Sequence, residues 1–151
     1  GRACIQFGGF SLIELLAGIA VLGVLVAIAV PSYLEHIKKA EASEAAKDIR
    51  AIELALQDYY LNNNDYPDSL AAIGMDMVDP WGNPYEYLPI EGRKKSGKRR
   101  KDHSLVPINS DFDLYSKGED GKSAPPLTAA ISKDDIVRGN NGKFVGLGSD
   151  Y

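Results

Sequence analysis

The chain has 151 residues, 44% hydrophobic and 25% charged, with 17 Lys or Arg against 21 Asp or Glu and a formal net charge of −4. That length holds one small domain beside a membrane segment, and the acidic balance argues against nucleic acid as a partner. Cys4 is the sole cysteine, which excludes an intrachain disulfide and any disulfide-stapled scaffold.

Taken in order, residues 1–9 open on Gly1 and carry Arg2 as their one charge. The run Phe10–Val30, FSLIELLAGIAVLGVLVAIAV, follows with a single ionisable side chain, Glu14. At about 1.5 Å per residue such a helix covers roughly 30 Å, the thickness of a bilayer's hydrocarbon core. A soluble core helix is rarely apolar all round, so the run predicts a membrane span. Glu14 lies a little over one turn inside it with no basic residue in the run to neutralise it. A carboxylate at that depth costs at most a few kcal/mol and marks function, and a new amino terminus is its natural partner.

The residues Gly9-Phe10-Ser11-Leu12-Ile13-Glu14 resemble the processing site of the type IV pilin-like proteins, the pilins and pseudopilins. The resemblance implies that a prepilin peptidase cuts between Gly9 and Phe10 and methylates the Phe10 amine. It also implies that Glu14 serves assembly. Cleavage creates an ammonium, and in a filament Glu14 of one subunit can neutralise the Phe10 amine of its neighbour. Such a pair adds little in water but is costly to break once buried, so it acts on register and recruitment. The leader 1–9 is expected to be removed, with its true start upstream; this is not a secretory signal peptide, because the cut leaves the apolar run attached. Losing Arg2 leaves sixteen basic against 21 acidic side chains, a net of −5, and losing Cys4 leaves no thiol. The plain alternative is an ordinary signal-anchor with a tolerated Glu.

Beyond Pro31 the pattern still reads as helix. Glu35, Lys38, Lys39, Glu41, Glu44, Lys47, Asp48, Arg50 and Glu53 supply its polar surface, while Ala45, Ile49, Ile52, Leu56 and Tyr59 or Tyr60 form one apolar stripe. Pro31 therefore reads as a kink rather than a stop, in a place where pilin-like proteins also carry proline. The first half, 10–30, is the span or filament core; the second, 31–61, backs a globular head over 62–151. Asn62-Asn63-Asn64-Asp65 ends the helix, and Asp68 or Ser69 opens a short helix closed by Gly74.

Asp79-Pro80-Trp81-Gly82-Asn83-Pro84-Tyr85 is turn chemistry before an alternating strand at 85–88. It resembles the major pseudopilins of type II secretion systems, where this turn opens a small sheet packed on the long helix. Trp81 reads as a packing anchor. Seven Lys or Arg between Arg93 and Lys101 predict a solvated hairpin loop. The alternative is contact with an acidic surface such as a neighbouring subunit. Nucleic acid fits poorly, since no aromatic residues interleave the cations.

Residues 111–116 alternate as a second strand. Lys117-Gly118-Glu119-Asp120-Gly121, followed later by Ser132-Lys133-Asp134-Asp135-Ile136, resembles the calcium loop of the same family. The resemblance implies side-chain oxygens from Asp120 and Asp134 and a carbonyl from Lys117, with Asp135, Ser132 and Ser123 as further candidates. Calcium takes six to eight hard oxygens, which a folded-back loop can supply. The spacing is not that of an EF-hand, and residues 124–131 lengthen the loop between its two acidic clusters. The tail holds a possible hairpin at Asn141-Gly142, and the resemblance is not carried past Ile136. His36 and His103 stand alone, without the neighbours a metal or catalytic site needs.

The chain presents no Ser-His-Asp set, phosphate-binding glycine loop or redox cysteine pair. The expected fold class is α+β, a long N-terminal helix with a small antiparallel sheet. As a major pseudopilin it would be a structural subunit and no enzyme, a single-pass inner-membrane protein with a periplasmic head, stacking into a homo-oligomeric filament for protein secretion. Its implied partners are minor pseudopilins, the inner-membrane assembly platform and the prepilin peptidase. A type IV pilin of a surface fibre shares the first half of the pattern, and a single-pass membrane-anchored binding protein is the more distant rival.

Overall fold

The computed structural model describes every residue except Arg2, Ile5, Gln6, Lys95 and Ser96. Arg2 of the leader and Lys95, one of the seven cations of the basic run, therefore lie outside the described residues. The chain divides into two compact units, Gly1–Lys38 and Lys39–Tyr151.

Helix α1 spans Leu12–Asn63 and passes through Pro31 without ending there. Its first turn is closed reciprocally. The Ser11 N–H donates to Glu14 Oε2 at 3.1 Å, and the Glu14 N–H donates to Ser11 Oγ at 3.3 Å. This is a capping box, satisfying two of the donors that a helix start leaves orphaned. Along the first unit Leu12, Ile19, Leu22, Leu25 and Ile28 are all more than half exposed. The helix is long and apolar enough to cross a membrane. A helical surface this apolar has to be covered by lipid or by other helices.

In the second unit, α1 lays Ala45, Ile49, Ile52 and Leu56 onto the core, each fully buried. Full burial of one such Ile or Leu contributes about 1.5–3 kcal/mol. The helix ends where expected, with Asn64 left-handed at φ +55. A short 3-10 turn, Ala71–Ile73, is closed by left-handed Gly74, and Ser69 Oγ accepts the Ala72 N–H at 3.4 Å. The predicted short helix is thus one 3-10 turn.

Four strands follow: β1 (Glu86–Pro89), β2 (Phe112–Ser116), β3 (Ile136–Gly139) and β4 (Phe144–Leu147). They form one antiparallel sheet in the order β1-β2-β3-β4, with Glu86 opposite Tyr115, Tyr115 opposite Val137 and Gly139 opposite Phe144. The β3–β4 connection is the hairpin expected at Asn141-Gly142; Asn140 and Asn141 take φ +51 and +55, conformations that Asn tolerates better than most residues. Because side chains alternate, Phe112, Leu114 and Ile136 meet the helix stripe. Tyr115 and Val137 instead pack with Ile108 and Leu127. Strand β2 is therefore buried throughout.

Two expectations fail in this unit. Glu53, assigned to the polar surface of the helix, is buried: Arg138 Nε donates to its Oε1 at 2.8 Å, and Arg50 Nη1 to its Oε2 at 2.9 Å. The basic run is not wholly solvated either. Arg100 is buried, its guanidinium 3.9 Å from the Tyr115 ring centroid, with Nη2 donating to Tyr115 Oη at 2.7 Å. A guanidinium gains both stacking and hydrogen bonds in such a place, which an ammonium could not.

Candidate functional site

Two groups of residues carry the functional expectations, one in each unit. At the start of α1, Gly9 and Phe10 are exposed residues just ahead of the helix, and Phe10 is 90% exposed. The junction is accessible, and the carboxylate of Glu14 lies one helical turn beyond it. That carboxylate already accepts the Ser11 N–H, a role that sequence reasoning missed although Ser-x-x-Glu before an apolar run signals it.

In the second unit the Asp79–Tyr85 turn is fastened to the acidic loop. Asp79 Oδ1 accepts the N–H groups of Trp81 at 3.1 Å and Asn83 at 2.8 Å, and Asp79 Oδ2 accepts the Ser116 hydroxyl at 2.5 Å. Asn83 Nδ2 donates to the Gly118 carbonyl at 3.1 Å. Trp81 packs against the core and its Nε1 donates to Glu41 at 3.1 Å, so it is the anchor expected of it. Asp79 is buried and joins this turn to the end of β2. Nothing in its local sequence pattern told it apart from the solvated acids.

The loop brings Asp120 and Asp134 together. The Asp120 N–H donates to Asp134 Oδ2 at 3.1 Å, and Gly118, at φ +65, lies so close to Asp134 that a Cβ would strike its carbonyl oxygen. Any side chain at Gly118 would force the two arms of the loop apart. Lys117 sends Nζ to Glu86 at 2.8 Å, which leaves its carbonyl as the atom with coordinating chemistry. Asp135 and Ser132 belong to the interior. Ser132 Oγ bonds both the N–H and the carbonyl of Ala124 at 2.8 Å, and Asp135 Oδ2 accepts the Ser123 hydroxyl. Among the described residues Asp135 Oδ1 is buried with no hydrogen-bond partner, and desolvation pushes the Asp135 carboxyl up to about 7 despite the Ser123 hydrogen bond. Among the described residues no three His, Cys, Asp or Glu converge as a metal cluster. Asp120 Oδ1 itself accepts the Lys122 N–H at 2.7 Å, so the loop offers oxygen donors only, the hard type that calcium takes and softer transition metals do not prefer. His36 and His103 are exposed.

Between helix and sheet, Arg138 is fully buried between Glu53 and Asp111, donating to Asp111 Oδ2 at 2.7 Å and Oδ1 at 2.9 Å and stacking 3.9 Å over the Phe112 ring. Burial alone would lower its pKa, but hydrogen bonds to Asp111 and Glu53 outweigh that and raise it. These residues join helix to sheet across 85 positions of sequence.

A long helix, apolar in its first half and entered through a Gly9-Phe10 junction, with its second half packed on a four-stranded antiparallel sheet, defines a type IV pilin-like subunit. Residues 6–30 match the prokaryotic N-terminal methylation motif, and residues 32–76 match the model for type II secretion system protein G. The chain is 33% identical to the type II secretion system core protein G of Pseudomonas aeruginosa over 139 residues, covering 78% of this chain and 87% of the relative. It is 34% identical to the core protein G of Escherichia coli over 140 residues, covering 90% and 93%. The type IV major pilin of Neisseria gonorrhoeae is 29% identical over 146 residues, covering 90% and 87%. The chain belongs to the type II secretion system protein G family, the major pseudopilins.

Proposed function

We propose that this chain is the repeating subunit of a short periplasmic filament, the pseudopilus, that serves protein secretion across the cell envelope. It acts by assembly and performs no catalysis. In this reading the prepilin peptidase cuts between Gly9 and Phe10 and methylates Phe10, and residues 10–30 hold the subunit in the inner membrane with residues 62–151 in the periplasm. Minor pseudopilins and an inner-membrane platform start and drive the assembly. Extraction from the bilayer then exchanges lipid for neighbouring helices around the exposed apolar surface of α1. Glu14 sets the register by meeting the Phe10 amine of the next subunit.

The observation that carries this reading is the junction itself: an accessible Gly9-Phe10 bond followed one helical turn later by Glu14, the sole charge of the apolar run. Mass spectrometry of the protein extracted from its native membranes tests it. The expected species starts at Phe10 and carries one additional methyl group. An uncut chain that retains Gly9 would lack the amine, and a plain membrane anchor would then be the better account. Against a surface pilus, the match to protein G over residues 32–76 covers the part of α1 beyond Pro31 and the 3-10 turn that follows the helix.

In the head, the acidic loop is read as a calcium site, with Asp120 and Asp134 supplying carboxylates and Lys117 a carbonyl. Bound there, the cation would offset the repulsion between the two carboxylates and tie the loop after β2 to the segment before β3. Millimolar calcium should raise the melting temperature of the head, and Asp120→Ala should abolish the rise. The absence of any shift in the unaltered protein would remove calcium from the account.

A further inference from the structure

The charges of the second unit are segregated along the chain. Residues 40–91 hold eleven acidic side chains and two basic ones, whereas residues 93–101 hold seven basic ones and no acid. Members of the two groups line separate grooves. Arg99 and Lys143 line a groove of about 650 Å³ with Asn109, Ser110, Asn140 and Asn141. Asp68, Asp76 and Glu86 line a second groove of about 280 Å³ with Ser69, Tyr85 and Tyr87.

The two surfaces already touch once within the chain. Arg93, first residue of the basic run, reaches Asp68 at 2.9 Å and Asp65 at 3.2 Å. The Asp68 side chain remains 93% exposed after making that contact, and Asp76 on the same groove is exposed. Four cations of the run, Lys98, Arg99, Arg100 and Lys101, lie on the far side of Gly97, and the Lys101 N–H donates to the carbonyl of Pro125. That end of the run is anchored by buried Arg100, so Arg99 is held beside Lys143 and is not free to follow Arg93.

We propose that the Arg99–Lys143 groove of one subunit docks on the Asp68–Asp76 groove of a second copy of this chain. The inference rests on the filament reading and adds to it a contact between heads, independent of the apolar helix. A contact between two different patches is heterologous: each docking leaves one free patch of either sign, so it propagates and does not close into a dimer. That is the symmetry a filament needs. An anionic lipid surface would use the cations alone and give the acidic groove no role. Complementary charge also steers encounter and register, which lets the heads select orientation before the helices pack.

The test uses the full-length chain with Cys4→Ser, so that introduced cysteines are the only thiols. Copies carrying Lys143→Cys and copies carrying Asp76→Cys are produced together in the native host. A disulfide-linked pair should form in assembled pseudopili, weaken as salt is raised during assembly, and exceed that of a Ser149→Cys control. Reversal of one patch, Arg99→Glu with Lys143→Glu, should reduce pseudopilus yield by about tenfold, since like charges meet across the contact. Added Asp68→Lys with Asp76→Lys should restore it. Trp81 fluorescence establishes that each variant still folds. Pseudopili that assemble normally with the first reversal, and without the cross-link, would overturn this inference and leave the filament reading standing. Retention on anionic phospholipid vesicles that depends on Arg99, again without the cross-link, would overturn it in favour of a lipid surface. Failure of the unaltered chain to assemble at all would overturn both.

Discussion

Replacing Arg138 by Met should cost the head about 3–5 kcal/mol, the range found when one partner of a buried ion pair is removed. The guanidinium is fully buried and donates to Glu53, to both oxygens of Asp111 and to the Phe112 carbonyl. Without it, two carboxylates of low exposure lose the counter-charge they share. Arg50 remains for Glu53, but its side chain is 46% exposed and cannot replace the fork of Arg138. Glu53→Gln is the gentler change, because the amide oxygen can still accept from Arg138 and Asp111 keeps its bidentate pair; it should cost about 1–2 kcal/mol. Denaturant unfolding followed by Trp81, the single tryptophan, measures both. A loss below about 1 kcal/mol for Arg138→Met would show that the ion network does not hold helix to sheet.

The same contact explains the hairpin at Asn140–Gly142. Gly142 has φ +93 and lies against the Glu53 carboxylate, where a Cβ would collide. A bare turn at this point lets the β3–β4 hairpin close over the ion network, and Arg50 donates to the Gly142 carbonyl. Packing and local conformation thus agree at one position.

Glu14→Leu should abolish filament assembly while the protein is still made and inserted into the membrane. The structure shows that this variant removes two things together, the charge and one half of the capping box with Ser11. Glu14→Gln separates them. Glutamine at this position keeps the reciprocal hydrogen bonds of a capping box but carries no charge to meet an amine. If charge pairing recruits the next subunit, Glu14→Gln is as defective as Glu14→Leu. Assembly by Glu14→Gln at the unaltered level would show instead that the helix start is what matters. Ser11→Ala is the complementary probe. It loses one cap hydrogen bond, about 1 kcal/mol, and should leave assembly largely intact. Electron microscopy of sheared pseudopili, with immunoblots of the membrane fraction, reads all three.

By itself the sequence determined what depends on neighbours a few residues apart. The length and uniform apolarity of Phe10–Val30 made it a run long enough to cross a membrane, and Glu14 stood out because the same run offers it no basic partner. The stripe Ala45, Ile49, Ile52 and Leu56 was legible because a helix places every third or fourth residue on one face. Asn64, Gly74 and the Asn141-Gly142 hairpin followed from the backbone preferences of those residues alone. The tertiary structure decided which polar residues are interior. Glu53, Arg100 and Asp79 look like surface residues, because local patterning cannot tell a solvated charge from one whose partner lies tens of residues away. Their partners come into reach only in the folded head: Arg138 where the sheet packs on the helix, Tyr115 and Ser116 where the segments around residues 100 and 79 fold back on β2. The acidic loop was divided for the same reason. Asp134 and Asp135 are adjacent in sequence, yet one faces Asp120 and the other bonds Ser123 inside the fold, since successive residues entering β3 point to opposite sides.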